Sequence, residues 1–101
     1  MRKTIRVPHL GFAVFVQPRP KKSKSYAHVL YSKDGFSCQL FLPDVPSYSA
    51  VAHECVHILQ AICEKYNIDF TREDEHMGYI MQYLMQEICG QKNVRLKKVT
   101  R

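Results

Sequence analysis

Residues 43 to 50, PDVPSYSA, divide this chain of 101 residues into two parts that cannot share one kind of secondary structure. Its two prolines lack a backbone donor and end any strand that reaches them. Ser47 or Ser49 then offers a side-chain oxygen to cap a following helix. Before the break, β-branched and aromatic residues form short extended runs. After it, apolar residues recur at helical spacing. Strands followed by helices predict an α+β fold, and the length predicts one domain, 1–101, with a single modest core.

The extended runs are LGFAVFVQ (10–17), YAHVLYS (26–32) and FSCQLFL (36–42). A polar, basic loop, PRPKKSKS (18–25), separates the first two, and Lys33-Asp34-Gly35 supplies the positive-φ positions of a tight hairpin between the others. The expectation is a small three-stranded antiparallel sheet packed on two helices. No run of 18 apolar residues occurs, and Pro8, His9 and Gly11 interrupt the N-terminal segment where a signal-peptide core would lie. A soluble, unprocessed, cytoplasmic protein without a membrane partner is expected. The cysteines, at spacings of 17, 8 and 26, match neither a zinc knuckle nor a compact disulfide framework, so they read as free thiols.

From about Ala50 to Tyr66, apolar residues at 52, 55, 56, 59, 62, 63 and 66 predict the first helix. Thr71-Arg72-Glu73-Asp74 resembles a capping box for a second, which buries Met77, Ile80, Met81, Leu84 and Ile88 and stops at Gly90. The first helix carries His53-Glu54-Cys55-Val56-His57. Histidines four apart lie one turn above each other and can aim two imidazole nitrogens at one cation. Glu54, rotated by about 100°, is poorly placed as a ligand but can reach a water on the metal, which is the arrangement metal-assisted hydrolysis needs. His53, His57, Gln60 and Glu64 share one polar stripe, which as a bland alternative is simply solvated.

A catalytic zinc usually takes three protein ligands. The candidates are Glu75, 18 residues after His57, with Asp74 and His76 beside it. Gly78 would let the two helices approach closely enough for Glu75 to reach the ion. A first-turn acid also serves the helix dipole, and the two roles are compatible. Tyr79 and Tyr83 are candidates for stabilising an oxyanion, although tyrosines at the edge of a core read the same way. His9 and His28 read as ordinary polar positions. Tyr26, Tyr31, Phe36 and Phe41 read as packing the sheet on the helices, with a stacking platform for single-stranded nucleic acid as the alternative.

VAHECVHILQ followed by DEHMGYIMQYL resembles the HExxH zincins in their minimal, glutamate-ligand form. It is similar to small phage-encoded metallopeptidases and, more distantly, to ImmA/IrrE-type metalloproteases. The resemblance spans roughly residues 36 to 88; Val56 stands where ImmA/IrrE-type enzymes often have glycine. It implies Zn2+ on His53, His57 and Glu75, with Glu54 as the general base of peptide-bond hydrolysis by a metal-activated water. It also implies a peptide or protein substrate docked as an added strand on residues 36–42, and a host cytoplasm if the chain is phage-encoded. The alternative is a protein that keeps the zinc site or only the fold and acts by contact with host protein or nucleic acid.

The net charge of +6 is uneven, since 12 of the 15 basic residues lie in 2–24 or 92–101. The basic N-terminal segment, loop 18–25 and C-terminal tail 91–101 suit nucleic acid or another acidic partner, or serve only as solvated ends.

Overall fold

The structure, a computed structural model, describes residues 2–90; the basic tail 91–101 lies outside the described residues. Four strands precede two helices: β1 (Lys3–Arg6), β2 (Ala13–Pro18), β3 (His28–Tyr31), β4 (Ser37–Leu42), α1 (Tyr48–Tyr66) and α2 (Asp74–Cys89). The α+β class is as the order of patterns predicts. The sheet differs from expectation: it has four strands, not three, in the order β1-β2-β4-β3, and it is mixed, because β2 and β4 run parallel.

The extra strand comes from the basic N-terminal segment. In it Ile5 alone turns fully inward, and Val7 follows it into the core. The turn back to β2 uses left-handed backbone at His9 (φ 67) and Gly11 (φ 69), closed by the Val7 amide donating to the Phe12 carbonyl at 2.9 Å. The β3–β4 hairpin forms as predicted. Gly35 takes φ 79, and the Asp34 carboxylate accepts from the Phe36 amide and the Ser32 hydroxyl at 2.9 and 2.8 Å. The hairpin docks through β4 because Cys38, Leu40 and Leu42 are all buried, whereas β3 contributes no fully buried residue. The more apolar strand takes the interior position, and β3 becomes an edge.

Ser47 caps α1 by accepting from the Ala50 amide at 3.2 Å, and Asn67, in left-handed conformation, ends it. The buried face of α1 is rotated from the predicted stripe: it comprises Val51, Glu54, Cys55, Ile58, Leu59 and Ile62, while Val56 is 47% exposed. Glu54 thereby comes to the edge of the core. Helix α2 buries Met77, Ile80, Leu84 and Ile88. The expected capping box at Thr71 does not form. Helix α2 begins after Glu73 without a side-chain cap, and the Thr71 amide instead donates to the Asp69 carboxylate at 3.0 Å.

Helix α2 runs back along α1, bringing the Cys63 thiol 3.4 Å from the Met77 sulfur and Cys89 near Cys55. One hydrophobic cluster joins Ile5, Val14 and Leu40 of the sheet to Ile58 of α1 and Leu84 of α2. No described helix is long and apolar enough to cross a membrane.

Candidate metal centre

Helical pitch places His53 and His57 one above the other on α1, and their Nε2 atoms converge to 3.2 Å. Two nitrogens bound at zinc distances to one tetrahedral ion stand about 3.3 Å apart. The separation of the pair is compatible with two ligands on one ion and is equally that of a hydrogen bond between the rings, whose planes cross at 73°. The His53 side chain is 69% exposed and that of Glu54 only 10%, so the pair opens to solvent on one side and abuts the carboxylate on the other. Glu54 Oε2 lies 4.0 Å from His53 Nε2. A carboxylate at that distance is within reach of a water shared with the histidines, as the sequence spacing suggests.

The pair sits on a saddle between two open recesses along α1. On one side His57 lines a cavity of about 1020 Å³ together with Tyr31, Ser32, Gln60, Glu64 and Phe70. On the other, His53 and Glu54 line a recess of about 590 Å³ with Tyr26, Ala27 and Ser47. Both recesses are walled by β3 or the residues just before it, so a groove between the edge strand and α1 runs past the histidines. Lys65 closes the far end, its Nζ donating to the Asp34 carbonyl at 2.7 Å and lying 3.8 Å from the Phe36 ring centre. Tyr31 spans the groove, its hydroxyl donating to the His57 carbonyl at 3.3 Å. Partial burial raises the Tyr31 pKa above its ordinary value, and the charges of Cys38, Glu54 and Glu64 add to the rise.

The structure does not bring Glu75 to this pair. Among the described residues, no group of three His, Cys, Asp or Glu side chains could hold a metal ion. The cause is the antiparallel helix pairing. Met77 stands level with Cys63, and His76 lines a recess with Tyr66 and Asn67, so the first turn of α2 lies beside the last turns of α1. His57 is six residues before Cys63, roughly 9 Å along the helix axis. Gly78 faces open space, with nothing within 4 Å of an added Cβ, so no close helix approach occurs there. Tyr79 is 65% exposed on α2 and lines neither recess of the groove. The tyrosine whose hydroxyl does reach α1 at His57 is Tyr31, which the sequence does not single out for this place.

Residues 36–42 cannot receive an added strand, because β4 is paired with β2 on one side and β3 on the other. The edge beside the histidines is β3. The sequence signal for this was the absence from HVLY of the inward apolar alternation seen in SCQLFL.

Compared with known proteins, the chain matches no family model, no curated protein and no solved structure.

Proposed function

We propose that the chain is a zinc-dependent, metallopeptidase-like protein that acts on a peptide laid along the β3 edge. The observation that carries this reading is the 3.2 Å approach of His53 Nε2 to His57 Nε2 beside a nearly buried carboxylate. The two imidazoles would hold the ion through Nε2 as neutral donors, with their protons on Nδ1. Zinc held there would supply Lewis acidity to a peptide carbonyl and to water. Glu54 would accept the proton from water and return it to the leaving amine, a role its sheltered position favours. The backbone groups of His28–Tyr31 on the side away from β4 would pair with an extended substrate, and the recesses on either side of the histidines would receive its side chains.

A second reading is favoured by one observation, the lack of a third donor with the histidines among the described residues. In it the chain binds zinc weakly or only retains the scaffold, and works by contact. Elemental analysis of the purified protein for zinc, followed by Glu54→Gln in a peptide-library hydrolysis assay, separates the two. Stoichiometric zinc with hydrolysis lost in Glu54→Gln supports the peptidase. Zinc-free protein, or hydrolysis unaffected by Glu54→Gln, overturns it.

A further inference from the structure

The sheet face turned away from the helices carries residues that the metal centre does not use. Pairing registers align Thr4, Phe15, Gln39 and Leu30 in one row, and Gln17, Phe41 and His28 in the next. Their neighbours along each strand, including Ile5, Val14 and Leu40, are buried against the helices, so these rows face outward. Phe15 is 36% and Leu30 54% exposed. His28 and Phe41 stack with ring centres 4.7 Å apart and planes at 21°. Arg2 reaches onto the same face, donating to the Gln17 side-chain carbonyl at 3.4 Å, and a shallow recess of about 300 Å³ opens between Arg2, Thr4, Phe15 and Gln17.

The charge of the molecule is divided in the same way. Among the described residues, no strand contains Asp or Glu. Residues 2–43, which form the sheet and its loops, hold eight Lys and Arg against the single acid Asp34, whereas residues 44–90 hold eight acids against Lys65 and Arg72. One exposed aromatic, Phe15, and the half-buried His28–Phe41 stack, on a sheet without acids edged by guanidinium groups, match a ligand with flat π-faces and a polyanionic backbone.

We propose that this sheet face binds single-stranded nucleic acid. Phe15 and the His28–Phe41 stack receive unpaired bases, Gln17 and Gln39 offer amides to base edges, and Arg2, Arg6 and the cations of loop 18–25 contact phosphates. Single strands are preferred because only unstacked bases can lie on aromatic rings. An apolar protein surface is the poorer occupant, since arginine, glutamine and threonine interrupt the patch and interface cores are depleted in charge.

The test is fluorescence anisotropy of the full-length protein with labelled oligouridylate, oligothymidylate and a DNA duplex, each at low and moderate salt. Binding of the single strands ahead of the duplex is expected, and the two homopolymers distinguish an RNA from a DNA ligand. Phe15→Leu and Phe41→Leu keep apolar bulk but remove stacking, and each should weaken binding about 5- to 150-fold. Arg2→Gln and Arg6→Gln should each lower the slope of log affinity against log salt by about 0.7. The tail 91–101 is present in every variant, so its contribution cancels. Arg2 is exposed and keeps the test decisive if Phe41→Leu does not fold. Absence of single-strand binding at low salt, or binding that both phenylalanine variants and both arginine variants leave unchanged, overturns the proposal.

Discussion

The Tyr31 hydroxyl donates to the backbone carbonyl of His57 across 3.3 Å, joining the edge strand to the helix that carries both histidines. The contact frames the candidate centre: β3 forms one wall, α1 the other, and the tyrosine bridges them beside the paired Nε2 atoms. At 3.3 Å the bond is long for an O–H···O pair. The hydroxyl can therefore exchange the carbonyl for a stronger acceptor at little cost.

In the proposed hydrolysis, a developing oxyanion in the groove would be such an acceptor. Tyr31→Phe should lower peptide hydrolysis by about 100-fold, the effect of losing one oxyanion donor, and leave zinc content unchanged. Tyr79→Phe should have no effect, because that ring lies outside the groove. Steady-state assays of both variants check this; a loss confined to Tyr79→Phe would return the role to α2.

Zinc content should depend on the histidines and not on α2. His53→Ala and His57→Ala should each abolish binding of about one zinc per chain, measured by elemental analysis after dialysis. Glu75→Ala and His76→Ala should retain it, since the first turn of α2 stands beside the end of α1. Loss of zinc in Glu75→Ala would require that turn to move toward His57 when metal binds.

What the sequence made legible was local. The His53–His57 convergence follows from helical pitch, the Asp34-Gly35 turn from its residues, and the cap at Ser47 from its position after two prolines. Relations between distant segments were not legible. Nothing in HVLY and SCQLFL alone says which pairs with AVFVQP, and the choice was made by the greater apolar burial of β4. Glu75 looked competent because spacing along the chain ignores direction: an antiparallel return puts His57 level with residues near Tyr83, well past Glu75. The rotation of α1 that exposes Val56 and shelters Glu54 was hidden because counting both Ala52 and Val56 as apolar shifted the predicted stripe by about one residue.

Glu54→Gln should separate chemistry from structure. The amide keeps the volume of a residue only 7% exposed, so the fold and the zinc should persist while hydrolysis collapses. Glu54→Leu should bind zinc as well, because Glu54 is not needed as a ligand. Thermal melts and zinc analysis on both variants, beside a hydrolysis assay, test the division. Zinc lost from Glu54→Gln would make the carboxylate a ligand and vacate the role of base.

Alkaline pH should destabilise the fold through the core thiol of β4. Burial pushes the Cys38 thiol from its ordinary value near 9 up to about 12. The unfolded chain therefore releases this proton first as pH rises, and the folded state must follow at a cost. Stability should be independent of this group below pH about 9 and fall above it, by up to about 1.4 kcal/mol per pH unit, until about pH 12. Cys38→Ala should start from a lower melting temperature, having lost a buried sulfur, but should decline less steeply with pH. The same burial predicts that at about pH 8 iodoacetamide modifies the half-buried Cys63 and Cys89 before Cys38. Mass spectrometry of alkylated peptides reads the order directly, and early modification of Cys38 would show that β4 opens from the core far more readily than its position between two strands allows.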